Sequence, residues 1–174
     1  MRNLLLLALC STALFGAGET VGHRAPGFSL PDTSFKQHDS QDYRGRVLIV
    51  DFMQTTCPHC ATFSSILEEV AAKYAGKVAV LSIVNPPDSM QNVARYSAAH
   101  KIRNPILFDC GQVAASFVHG TPQNASFSLP RVFIIDAAGI IRGDYEYSML
   151  TREIFEGRGF FAEVDKVLAA SGRK

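Results

Sequence analysis

Cys57 and Cys60, set two residues apart in the stretch DFMQTTCPHC, are the residues of this chain best suited to covalent chemistry. Three chemistries fit that spacing: a permanent disulfide, half of a metal site, or a dithiol that opens and closes by exchange. A staple across two intervening residues closes a very small loop and constrains the unfolded chain little. Zinc wants four ligands, and the other candidates, Cys110, His23, His38, His100 and His119, show no second paired spacing. A metal site from Cys57, His59 and Cys60, as a copper- or haem-assembly redox protein would hold, is chemically sound, because soft thiolates suit Cu(I). Exchange is favoured by the surroundings. An apolar run ends in a short loop, and a helical pattern begins at Cys57. A helix start offers unpaired N–H groups and a partial positive charge, both of which stabilise a thiolate there. Cys60, one turn further in, is more shielded and placed to attack a mixed disulfide made by Cys57. Pro58 suits a first helical position. His59 adds a titratable group whose cation would favour the thiolate further.

The elements that must hold this pair are legible in the hydrophobic pattern. The run Arg46–Phe52 (RVLIVDF) is almost continuously apolar and β-branched, as a strand buried on both faces requires. Phe63, Ile66, Leu67, Val70, Ala71 and Tyr74 then recur at helical spacing up to Gly76. Lys77–Val84 reads as a second buried strand, broken by Pro86-Pro87, and Asp88 or Ser89 caps a helix to about His100. Pro105–Asp109 is a short strand, followed by a short helix over Gly111–Val118. Pro130–Asp136 and IIRGDYEY, joined by the turn Ala137–Gly139, form an antiparallel hairpin. A last amphipathic helix carries Phe160, Phe161, Val164, Val167 and Leu168. His23–Gly45 is rich in turn formers and reads as an N-terminal hairpin or loose extension. Strands alternating with helices and then a hairpin make an α/β sheet covered on both faces.

A chain of 174 residues, 47% hydrophobic, can build one domain with a proper core. Its formal charge of +1 gives no electrostatic reason to bind nucleic acid. Residues 1–18 differ in kind: Arg2, an apolar run from Leu4 to Phe15, then Gly16, Ala17 and Gly18, the layout of a secretory signal. The run is too short to span a bilayer as a mature helix, although an uncleaved N-terminal anchor is the competing reading. Lipid attachment at Cys10 is disfavoured by Leu9 beside it. The expected organisation is a signal peptide, 1–18, and one domain, 19–174, in an oxidising compartment outside the cytoplasm, the periplasm or its equivalent.

The run VLIVDFMQTTCPHCATFSSILEEVAAKYAGKVAVLSIV, continued by SLPRVFIIDAAGIIRGDY, resembles the core of thioredoxin-fold proteins over roughly Ala25 to Ala170. The opening PGFSLPDTSF…YRGRVLIVDF is similar to the secreted TlpA/ResA-like branch and to the related peroxiredoxins, while the C-P-H-C centre looks like the strongly oxidising DsbA type. The resemblance implies a thioredoxin-like fold, a central mixed sheet with helices on both faces, exchanging disulfides with other proteins and needing no cofactor. It implies protein thiols and disulfides as partners, with apocytochromes or copper proteins among them, and leaves room for a membrane redox partner. It places Asp51 as the buried acid that relays the proton of the resolving cysteine. Burial within RVLIVDF would itself raise the proton affinity of Asp51; the alternative is a strand-end carboxylate satisfied by backbone donors. It makes Pro130 the cis-proline facing the dithiol and the Leu129 main chain the edge that pairs with a substrate. The chain also departs from the pattern. Met53 and Thr56 replace aromatic residues, Ser82 replaces the lysine that partners the acid, and Ser65 replaces the helix proline. Gln54 stands where a peroxidatic site carries Thr or Ser, which weighs against the alternative of a peroxiredoxin-like peroxide reductase.

Other residues invite simpler readings. Cys110 opens a short helix, where a thiol can be activated, but a small buried hydrophobe is the plainer expectation. Asn124-Ala125-Ser126 matches a glycosylation sequon by coincidence of a short pattern. The four remaining histidines lie in separate segments, and Phe160-Phe161 reads as core.

Overall fold

The computed structural model describes residues 18–120 and 127–171. Residues 1–17 of the signal-like segment, Cys10 among them, and the sequon at Asn124 lie outside the described residues. A five-stranded mixed sheet has the order β5 (Ile106–Phe108), β4 (Val78–Val84), β3 (Val47–Met53), β6 (Arg131–Ile135), β7 (Ile141–Glu146). The first three run parallel, and β6 and β7 are antiparallel to their neighbours. β3 lies at the centre with all seven residues buried, as its unbroken apolar pattern demands. Its side chains alternate between two cores. Val47 and Ile49 join β4 residues Val78 and Val80 beneath α1 (Pro58–Lys73), α4 (Arg152–Glu156) and α5 (Gly159–Ser171). Leu48, Val50 and Phe52 face the opposite way, onto Phe117 of α3 (Gln112–Phe117) and Phe28 of the N-terminal extension.

α1 ends where expected, with Gly76 at φ +79°, and runs as one helix through Ser65. α2 (Met90–His100) is capped by Ser89, whose hydroxyl accepts from Asn92 N at 3.2 Å. The N-terminal extension contains a hairpin of β1 (Ser29–Pro31) and β2 (Gln37–Asp39), followed by a 3₁₀ turn at Ser40–Tyr43. It also guards both sheet edges. Asp32 bridges Leu107 on β5, while Gly22 N donates to Ile141 O at 2.9 Å and Ile141 N to His23 O at 2.9 Å along β7. Exposed edges invite foreign strands, and here the chain's own start covers them. α4 has no counterpart among the elements expected from periodicity, because five residues carry too little pattern. Among the described residues no helix is long and apolar enough to cross a membrane.

Candidate active site

Cys57 sits at the junction of β3 and α1. Its N–H donates to Gln54 O at 3.1 Å, turning the chain, and its own backbone is extended, with Pro58 as the first helical residue. The Cys57 Sγ thereby becomes the N-cap acceptor and takes the N–H of Cys60 at 3.2 Å. That bond favours a sulfur carrying negative charge. The loop before it is fastened by Thr55, whose N–H and hydroxyl both donate to the Asp88 carboxylate beyond β4. Both thiols are free; Cys57 is half-buried and Cys60 is 1% exposed. Cys60 lies in a small core with Met53, Val84, Val93 and Tyr96. Burial, and then the charge of Asp51, push the Cys60 thiol far above its ordinary range. It is a nucleophile only when its proton is taken.

Asp51 is the acid whose charge acts on Cys60. It is 1% exposed on β3, opposite Ser82 of β4, whose hydroxyl donates to Oδ2 at 3.2 Å. Among the described residues Oδ1 has no hydrogen-bond partner. Burial raises the carboxyl from 3.8 to about 7, with Ser82 opposing. The alternative of a carboxylate satisfied by backbone donors does not describe this residue. Ser82, which replaces a lysine of the resembled pattern, supplies one hydrogen bond and no charge.

In front of the dithiol lies the loop before β6. The Leu129–Pro130 peptide bond is cis, as is Pro86–Pro87. Leu129 O is 3.9 Å from Cys57 Sγ, and Pro130 O accepts from Tyr147 N at 3.0 Å. Two carboxylates behind the loop hold it. Arg131, the next residue, forms a bidentate pair with buried Asp144 at 2.9 and 3.0 Å, and Glu146 Oε1 accepts from Ser128 N at 2.5 Å. Thus Cys57, Cys60, Asp51, Leu129 and Pro130, spread over eighty residues of sequence, converge on one end of the sheet. A shallow cleft of about 340 Å³, lined by Thr55, Thr56, Arg95, Tyr96 and His100 among others, flanks them on the α2 side.

His59 has company that the sequence did not reveal. Its Nδ1 is 2.9 Å from Glu156 Oε1, and its ring stacks on Tyr147 with centroids 4.1 Å apart. Tyr147 OH also donates to Glu156 Oε1 at 2.7 Å, and Arg152 Nε donates to Oε2 at 2.5 Å. The Tyr147 hydroxyl, then Arg152 and His59, hold the Glu156 carboxyl down to about 2, and the same bond raises Tyr147. The only sequence trace of this cluster is the i,i+4 pair Arg152/Glu156.

Two expectations need correction. Cys110 is exposed, not a buried hydrophobe, because it follows β5 in a turn whose next residue, Gly111, has φ +94°. The histidines are not all isolated. His38 is buried between Asp32 Oδ2, at 3.0 Å, and Tyr43 OH, at 2.8 Å, and the His23 and His119 rings lie 6.1 Å apart. Among the described residues no group of three or more His, Cys, Asp or Glu side chains is arranged to hold a metal ion.

The model of the AhpC/TSA family matches residues 21–143. The chain is 26% identical over 135 residues to the thioredoxin-like protein YneN of Bacillus subtilis (strain 168), covering 76% of this chain and 75% of that one. It is 28% identical over 152 residues to the thiol-disulfide oxidoreductase ResA of Geobacillus thermodenitrificans (strain NG80-2), covering 82% and 83%. Among solved structures, a thiol:disulfide interchange protein of the thioredoxin family from Chlorobium tepidum TLS superposes with a TM-score of 0.62 at 21% identity, over 83% of this chain and 95% of that one. The fold is thioredoxin-like.

Proposed function

We propose that this chain, which belongs to the AhpC/TSA family, is a thiol–disulfide oxidoreductase that exchanges disulfides with other proteins through Cys57 and Cys60. The observation that carries this reading is the Cys57 sulfur at the N-cap of α1, accepting the Cys60 N–H at 3.2 Å, with Asp51 buried behind it. In the reducing direction the Cys57 thiolate attacks a substrate disulfide. A mixed disulfide forms, and the first substrate sulfur leaves as thiolate. Asp51 takes the proton of Cys60, whose sulfur then attacks Cys57 Sγ. The second substrate sulfur leaves, two electrons have passed to the substrate, and Cys57–Cys60 is a disulfide. The oxidising direction is the same sequence reversed. Leu129 and Pro130 form the backbone edge along which the substrate chain lies beside Cys57, an arrangement of the β-augmentation kind.

The ResA-like frame favours apocytochromes or copper proteins as clients, with a membrane redox partner to restore the dithiol. Export follows from the same reading: residues 1–18 are removed as a signal, and 19–174 remain as the working domain in an oxidising compartment. Equilibration of the purified domain with glutathione buffers fixes the direction of electron flow. A potential near −120 mV makes it an oxidant, and one near roughly −270 mV a reductant. Turnover of a disulfide-bonded protein substrate, abolished in Cys57→Ser, is the expected result. Rapid peroxide consumption without protein disulfide exchange would instead establish a peroxide reductase.

A further inference from the structure

The cluster around His59 is the best-defined polar constellation that the exchange mechanism above leaves unused. One carboxylate, Glu156, accepts from the His59 ring at 2.9 Å, from Tyr147 OH at 2.7 Å and from Arg152 Nε at 2.5 Å. It is largely sheltered, its side chain 19% exposed against 46% for His59. Its partners come from three elements: His59 from the first turn of α1, Tyr147 from the segment after β7, and Arg152 from α4 itself. Tyr147, stacked on the imidazole at 4.1 Å, fixes the plane of the ring, and its backbone N–H is tied to Pro130 O at 3.0 Å. Glu156 therefore joins the dipeptide between the two cysteines to the loop that faces them.

We propose that Glu156 is a positioning residue for the dithiol: it seats His59 through Nδ1 and screens the charge of the imidazole from Cys57. The centre is then less oxidising than C-P-H-C alone would make it. The physical reason is the sign of the charge. A histidine cation next to the attacking sulfur stabilises the thiolate, hence the reduced form, and makes the disulfide a stronger oxidant. A carboxylate bound to that same ring opposes the effect. The other titratable groups that act on Cys57 are Cys60 of α1, Tyr96 of α2 and Tyr147, with Asp51 of β3 acting on Cys60 and Arg152 lying beside the carboxylate. Of these only Arg152 is a fixed cation, and its guanidinium is spent on Glu156 Oε2. A carboxylate that accepts from Nδ1 also fixes the neutral ring as the Nδ1–H tautomer, leaving Nε2 as the unprotonated nitrogen.

This inference rests on the oxidoreductase reading for its meaning, yet its test needs no substrate. Alkylation of Cys57 by iodoacetamide under mildly acidic conditions reads the thiolate directly. Glu156→Gln keeps one acceptor oxygen, which can still serve Tyr147 and His59, but it removes the charge and the acceptor of Arg152. It should raise the Cys57 rate about three- to tenfold and shift the glutathione equilibrium toward the dithiol by a similar factor. Glu156→Asp, which keeps the charge, should stay within about twofold of the parent chain. Equal acceleration in both variants, or no change in Glu156→Gln beyond its melting temperature, would overturn the proposal. In the unsubstituted chain, the imidazole ¹⁵N spectrum above the His59 titration should show the Nδ1–H tautomer; the Nε2–H form would refute the seating independently of any variant. If Cys57 responds as expected while no protein disulfide is exchanged, the functional reading fails and this one stands.

Discussion

Asp51→Asn separates the proton-relay role of Asp51 from a merely structural one, because the structure predicts opposite signs for stability and for rate. Asp51 is 1% exposed, one carboxylate oxygen has no partner among the described residues, and burial raises the group from 3.8 to about 7. Between those two values the folded chain keeps a proton that the unfolded chain has lost. Stability therefore falls as pH rises through that window, and below it both states carry the proton and the penalty vanishes. At ~1.4 kcal/mol per pH unit, the penalty reaches about 4 kcal/mol above the window. Asparagine never ionises, so the variant should gain up to about 4 kcal/mol near pH 8 relative to the parent chain. Near pH 4 it should gain almost nothing. The chemistry should move the other way. Removing the Asp51 charge relieves one of the causes that raise Cys60, but on the proposed mechanism it also removes the acceptor of the Cys60 proton. With Cys60 1% exposed, water is a poor substitute, and loss of a positioned base slows a proton transfer by about 100-fold or more. Stopped-flow reaction with DTNB in a Cys110→Ser background resolves the two steps. The first coloured thiolate appears when Cys57 forms the mixed disulfide, and the second when Cys60 displaces it. The first phase should be preserved and the second slowed. A second phase of unchanged rate near pH 7 would refute the relay, and a pH-independent stability difference would refute the assignment of Asp51 as a desolvated acid.

With iodoacetamide near pH 6, mass spectrometry should find Cys57 labelled ahead of exposed Cys110, and buried Cys60 last; equal rates at Cys57 and Cys110 would remove the activation by the N-cap. Pro130→Ala frees the φ angle of the residue that seats Leu129 O 3.9 Å from Cys57 Sγ. Gel-shift analysis should show longer-lived mixed disulfides with protein substrates, because Cys57 still attacks while the substrate edge is displaced. Arg131→Met leaves the Asp144 carboxylate buried without its cation, a change expected to cost about 3 kcal/mol or more in urea unfolding. A cost below about 1 kcal/mol would mean that Thr20, which donates to Asp144 Oδ2 at 2.7 Å, and water hold the carboxylate alone.

Sequence alone carries the sheet and the dithiol far, and stops where contacts become non-local. β3 and β4 announce themselves because a strand buried on both faces must be apolar throughout, and α1 does so because one face of it must be. The position of Cys57 at a helix start follows from those two patterns and from Pro58, so the attacking sulfur and its shielded partner are legible before any coordinates. Asp51 is legible for the same reason: a lone acid inside RVLIVDF is conspicuous because everything around it avoids water. The exposure of Cys110 was not legible, since a cysteine beside a short strand packs inward or turns outward according to the glycine turn that follows. Nor was the pairing of His38 with Asp32 and Tyr43, which exists only once the N-terminal hairpin closes. Glu156 is the sharpest case. It lies on a five-residue helix too short to leave a periodic trace, ninety-seven residues from His59, and nothing in its neighbours marks it as part of the site. Only the packing of α4 against α1 and the end of β7 brings its carboxylate to the imidazole. Residue type and period determine which groups are buried and which begin a helix. Which charges then meet across the chain is decided by how the layers pack.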